Sequence, residues 1–194
     1  MLLLRRPRGA WHGADVCEER WHDPVLLFEQ MRAKHEFGQE IAQGQVDGTR
    51  AKIEGQEMNE RTFVMIKPDA VTRNLTEEIV NRIKRAGLRV VSMRWITMDR
   101  ASAERLYSVH RGKEFFERLV EYVLSGPVVV ILVEGERAIS RMRELIGATD
   151  PANAAKGTIR GDFGLSLTQN TIHASDSAES AEHEMQIFFP KAKG

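Results

Sequence analysis

The run "RTFVMIK", Arg61–Lys67, is short, nearly continuous in apolar character and halted by Pro68 and Asp69. A run of this kind suits a strand buried on both faces rather than one with a solvated side. The segments downstream alternate around it. In "TEEIVNRIKRAG", Thr76 is placed to cap a helix, Glu77 and Glu78 suit the positive end of its dipole, Ile79, Val80 and Ile83 share a face, and Gly87 ends it. "LRVVSMRWITM", rich in β-branched residues and bounded by Asp99, predicts a second strand.

Helical patterns then cover roughly Ala101 to Ser108 and Glu114 to Leu124, and "SGPVVVILVEG" predicts a third buried strand after a Gly-Pro break. Glu136 to Ile146 reads as an amphipathic helix with Ala138, Ile139, Met142, Leu145 and Ile146 inward. An irregular stretch with Pro151, Gly157 and Gly161 follows, then a strand around Thr171 to His173 and a helix through Ser180 to Gln186. The order βαβ(αα)βαβα fits a ferredoxin-like α/β sandwich, an antiparallel four-stranded sheet covered by helices, better than a doubly wound sheet.

Upstream of this unit the composition changes. Asp23 suits an N-cap, Pro24 the first helical position, and Val25, Phe28 and Met31 recur at helical spacing. The polar, glycine-containing "AQGQVDGTRAKIEGQE" reads as a linker. Residues 1–57 are therefore expected to be an N-terminal extension of one helix plus linker, or else a disordered tail or a segment outside the natural product. Residues 58–194 are expected to be the folded domain.

Lys plus Arg and Asp plus Glu both count 28 in 194 residues, so no global field attracts nucleic acid or an anionic membrane. A phosphate site would have to be a local cluster. The single cysteine, Cys17, cannot form an intramolecular disulfide. No apolar run approaches bilayer length, and the opening "MLLLRR" reverses the order of a secretory signal. A cytoplasmic protein is expected.

The chemistry concentrates in "NTIHASDS", Asn170–Ser177. A serine hydrolase would need a G-x-S-x-G elbow, which neither Ser175 nor Ser177 has. A metal site from His173, Asp176, Glu179 and His183 has no spacing with a mechanism behind it. The third reading makes His173 the nucleophile, since a neutral imidazole offers a lone pair without an activating base. Glu184 would orient the ring directly or through Ser175. Cations would come from Lys67, at the end of the first strand, and from Arg160 in "GTIRGD", whose glycines admit close approach. Arg143 alone reads as a solvated helix residue. There is no G-x-x-x-x-G-K-[ST], so any triphosphate is not cradled by a P-loop.

Taken together, "MIKPDAV", "GKEFF", "SGPVVV", "GATDPANA", "GTIRGDFG" and "NTIHASDSAESAE" resemble the nucleoside diphosphate kinases, from about Thr62 to Phe189. The resemblance implies a ferredoxin-like sandwich. It also implies transfer of the γ-phosphate of a nucleoside triphosphate to a histidine and then to a nucleoside diphosphate, with Mg²⁺ on the phosphates. By the same resemblance His173 is the phosphorylated nucleophile, held by Glu184 and Ser175. Lys67, Tyr107, Arg143, Thr149, Arg160 and Asn170 match residues that contact phosphates or ribose. Phe115 matches the aromatic on which the base stacks, with Leu119 beside it, and Asp176 would reach the metal through water. A homo-hexamer or homo-tetramer is implied, with no membrane or specific nucleic-acid partner.

The alternative is a catalytically inactive ferredoxin-like module that binds nucleotides or a partner. Ala70 and Ala174 stand where the family usually has glycine, Lys113 replaces a usual arginine, and "LTQN" replaces a glycine-containing turn. A positive φ at either alanine would cost about 1 kcal/mol, so negative φ is expected at both.

Overall fold

The computed structural model describes residues 59–190. The helix expected from Asp23 and the linker after it lie outside them. The elements in chain order are β1 (Glu60–Ile66), α1 (Pro68–Thr72), α2 (Thr76–Arg85), β2 (Arg89–Thr97), α3 (Arg100–Leu106), α4 (Phe116–Leu124), β3 (Pro127–Gly135), α5 (Ala138–Ile146), α6 (Ile159–Phe163), β4 (Ile172–Ala174) and α7 (Ala178–Phe188). The sheet order is β2-β3-β1-β4, with every pairing antiparallel. This is the ferredoxin-like sandwich, with the helical pair α3 and α4 inserted between β2 and β3.

The continuous apolar character of β1 and β3 follows from their central positions: Phe63, Val64, Met65 and Ile66 are all inaccessible, as are Val128 to Ile131. Alternation sends Phe63 and Met65 to one layer, where they pack with Leu106, Val120, Val123 and Phe188. Helices α2 and α5 cover the sheet's other side with Ile79, Ile83, Met142 and Ile146, each fully buried. Among the described residues no helix is long and apolar enough to cross a membrane.

Local chemistry sets the element ends. Gly87 has φ +74, and Gly87 N–H donates to the Lys84 carbonyl while Leu88 N–H donates to that of Ile83, which closes α2 in a Schellman turn. Asp99 caps α3 by accepting from Ser102 N at 2.9 Å, and Ser177 caps α7 through Ser180 N. Thr76 does not cap α2. Leu75 already has helical angles at the cap position, and the Thr76 hydroxyl is buried without a partner. Pro68 both stops β1 and opens α1 as its first residue, which is where a missing N–H costs nothing. Ala70 lies in α1 and Ala174 in β4, and neither has positive φ.

Candidate active site

The β1–β4 pairing brings the chemistry together. Register sets Met65 opposite His173, and Lys67 N–H extends the ladder by donating to the Thr171 carbonyl at 2.9 Å. Residues two apart on a strand share a face, so Met65, Lys67 and His173 belong to one side of the sheet. That side is roofed by α7, which supplies Glu184, and flanked by Tyr107 just past α3.

His173 keeps about a quarter of its side chain accessible, 23%, and its Nε2 lies 2.9 Å from Glu184 Oε1. Glu184's other oxygen accepts from Ser175 Oγ at 2.6 Å. The buried carboxylate is thus held at both oxygens and fixes the ring. Because a carboxylate accepts, Nε2 carries the hydrogen, and the lone pair lies on Nδ1. The rings of Phe63 and Tyr107 limit tilting, with centroids 6.0 and 6.5 Å from that of the imidazole.

Two buried cations lie against the residues just before His173. Lys67 is only 5% exposed and Arg160 4%, and neither forms an ion pair among the described residues. Lys67 Nζ donates to Asn170 Oδ1 at 2.6 Å and to the Thr168 carbonyl at 3.3 Å, while Asn170 Nδ2 donates to the Thr149 carbonyl at 2.8 Å. Arg160 donates to the carbonyls of Gly147 and Ile172 at 3.1 and 3.0 Å. Burial first, and then the charge of Arg160, pull the Lys67 ammonium down to about 8 against the attraction of Asp69. Burial and the neighbouring Arg143 bring Arg160 down to about 10. Like charges gathered out of water with little counter-charge beyond that of Asp69 are unfavourable until an anion arrives.

The remaining predicted residues fall around these two groups. Arg143 near the end of α5 is close enough for its charge to bear on both Arg160 and Asp176. Asp176 accepts from Ser180 Oγ at 2.7 Å, and this bond is the main reason its carboxyl is held below the usual range. The Tyr107 hydroxyl is buried without a partner, and burial followed by Glu184's charge pushes its ionisation up. Phe115 opens α4 beside the His110 ring, centroids 5.4 Å apart, and Leu119, one turn on, is half-buried against the core. His183 instead approaches the Arg105 carbonyl at 3.2 Å, and among the described residues no three His, Cys, Asp or Glu side chains form a metal-sized cluster.

Two features escape the sequence. Thr171, a β-branched residue, has φ +74, and Ile172 N–H donates to the Asn170 carbonyl at 2.8 Å, making a tight three-residue turn directly before β4. Such a conformation costs on the order of 1–3 kcal/mol and persists only where neighbours hold it. Second, His110 joins the cleft mouth, its ionisation lowered by burial and then by His173. No local pattern signals either feature.

A ferredoxin-like sandwich with a carboxylate-braced imidazole beside buried cations that form no ion pair among the described residues is the class of molecule that fold and site define. Comparison with known proteins narrows it. The family model for nucleoside diphosphate kinase matches residues 60–193. The nucleoside diphosphate kinase of Sulfurisphaera tokodaii is 55% identical over 130 residues, covering 67% of this chain and 88% of that protein. That of Ignicoccus hospitalis is 57% identical over 130 residues, with the same shares of 67% and 88%. A solved structure of the Halobacterium salinarum nucleoside diphosphate kinase in complex with CDP is 44% identical, with TM-score 0.67, covering 69% of this chain and 89% of that one. The chain belongs to the nucleoside diphosphate kinase family, and its function is that of a nucleoside diphosphate kinase, an enzyme. The inactive-module alternative has no support.

Proposed function

We propose that His173 is the residue through which the phosphoryl group passes, and that residues 58–194 are the catalytic domain. The observation that carries this reading is a braced imidazole on the strand beside the buried cations Lys67 and Arg160, neither of which forms an ion pair among the described residues. In the first half-reaction Nδ1 attacks the γ-phosphorus of a nucleoside triphosphate. The Nδ1–P bond forms, the bond from phosphorus to the bridging oxygen breaks, and the diphosphate leaves with the electron pair. In the second half a terminal oxygen of another diphosphate attacks the same phosphorus and the Nδ1–P bond breaks, giving ping-pong kinetics.

Glu184, itself steadied by Ser175, keeps the Nε2 hydrogen in place and stabilises the positive charge the ring acquires. Lys67, Arg143 and Arg160 meet the phosphate oxygens, and the unpartnered Tyr107 hydroxyl is a ready donor to the ligand. Asn170 and Thr149 contact phosphate or ribose. Phe115, with Leu119, stacks the base, a contact that every base can make.

Mg²⁺ fits the donor set: one carboxylate, Asp176, stands near the cations with no protein cage around it, as suits a metal that keeps its waters and arrives on phosphates. Asp176 would hold it through water, and the ion would neutralise oxygen charge on the transferring phosphate. The substrates are nucleoside tri- and diphosphates, in keeping with the CDP bound to the Halobacterium salinarum relative. A cytoplasmic location and assembly as a homo-hexamer or homo-tetramer belong to the same proposal; β2, an edge strand whose Val90, Val91, Met93, Trp95 and Ile96 are only half-buried, offers apolar surface to a second copy. Residues 1–57 are proposed to be an extension outside the catalytic domain.

The test is incubation with γ-labelled ATP and Mg²⁺. Acid-labile, base-stable label is expected on the parent chain and none on His173→Ala; equal label on both rejects His173.

A further inference from the structure

Arg73, the residue that follows α1, has no part in the mechanism above, yet it joins the segments that build the cleft. Its Nη2 donates to Asp69 Oδ2 at 2.8 Å and to the Phe163 carbonyl at 2.8 Å, with a longer approach of 3.4 Å to Thr171 Oγ1. Its Nε donates to the Asp69 carbonyl at 3.0 Å. Asp69 is two residues from Lys67, Phe163 ends the helix that carries Arg160, and Thr171 is the left-handed residue between Asn170 and Ile172. Asp69 reaches further still. It accepts from Tyr122 Oη on α4, whose ring centroid lies 5.9 Å from Lys67 Nζ.

The planar fork of a guanidinium can serve several acceptors at fixed angles, which a lysine ammonium cannot reproduce. The Arg73 side chain is about a third exposed, so the value of these bonds lies in geometry more than in stability. Geometry is under load here, because Arg160 repels both Lys67 and Arg143, and the segments that carry them must be held together against that repulsion.

We infer that Arg73 is a positioning residue for the phosphoryl transfer: without touching the nucleotide, it holds the segments carrying Lys67, Arg160 and Asn170 at the spacing that His173 requires. This rests on the reading of His173 given above. In-line transfer depends on alignment to within about an ångström, and a misplacement of that size costs roughly 10²-fold in rate. Ground-state binding, spread over base stacking and several cations, is less sensitive.

The full-length parent, Arg73→Met and Arg73→Lys are mixed with ATP and Mg²⁺ in a rapid-quench single turnover, and binding of ADP is measured by calorimetry on the same samples. Phosphorylation of His173 is expected to slow about 10- to 100-fold in both variants. The Kd for ADP is expected to stay within roughly threefold, and the retained charge in Arg73→Lys to restore little. Transfer within twofold of the parent in either variant, or equal losses in rate and affinity, overturns the inference. Should Arg73→Met fail to fold, Arg73→Lys carries the same test. A parent that takes no label on His173 removes the underlying reading along with this one, whereas a labelled parent with equally fast variants removes only the role of Arg73.

Discussion

Lys67 shows how a single residue carries both the cost and the use of the cleft. Its ammonium, brought down to about 8 by burial and by Arg160, ionises near 10.5 in the unfolded chain. Between those values the unfolded chain holds a proton that the folded chain lacks, so the stability of the ligand-free protein rises with pH from about 8 upward. Below both values the penalty for the buried charge is fully present. The slope from this group is at most about 1.4 kcal/mol per pH unit. Above pH 10 the trend reverses, because Tyr107 and Tyr122, both raised by burial, stay protonated in the folded protein while they ionise in the unfolded one, and the two together outweigh the opposite contribution of Arg160. Urea midpoints between pH 7.5 and 9.5 should climb for the parent and stay flat for Lys67→Met; a parent whose midpoint falls across that window contradicts the burial argument.

At the scale of elements, the five-residue helix α6 decides where Arg160 lies. Thr158 caps it by accepting from Gly161 N at 3.2 Å, and a Cβ at Gly161 would overlap the Ala155 carbonyl oxygen. Backbone cannot yield as a flexible side chain can, so Gly161→Ala should shift this turn and with it the guanidinium. A loss of at least tenfold in kcat/KM, about 1.4 kcal/mol, is expected with the domain still folded. Activity within twofold of the parent would show that the turn has slack.

The same helix marks a limit of what the sequence discloses. The strands are legible because apolar runs such as Arg61–Lys67 and Ser125–Gly135 have one good burial pattern available to them. α1 and α6 are not, since Pro68 and Gly161 punctuate the chain and each helix is barely more than a turn. The cap assigned to Thr76 failed for a related reason: capping depends on whether the preceding residue has already turned helical, as Leu75 has. His173, Lys67 and Arg160 could be picked out by residue type and neighbours. The Thr171 turn and the ties through Arg73 and Tyr122 could not, because they span 90 and 53 residues and depend on register alone.

Over the whole molecule, a formal charge of zero conceals strong local sorting. Several arginines on the outer surfaces are paired, as Arg61 and Arg89 are with Glu134 and Arg82 with Glu78 and Asp162. Among the described residues Lys67 and Arg160 have no such ion pairs; Lys67 follows β1, His173 lies on the adjacent antiparallel β4, and α5 and α6 contribute Arg143 and Arg160. On the proposed reading, an anion with several charges would meet these cations and bring one end to the imidazole. If His173 is the nucleophile as proposed, Glu184, by holding Nε2, leaves Nδ1 to react. Phosphorus NMR of the protein trapped after one turnover with ATP distinguishes the two phosphohistidine isomers directly. The account predicts phosphate on Nδ1 of His173, and phosphate on Nε2, or on any other residue, contradicts it.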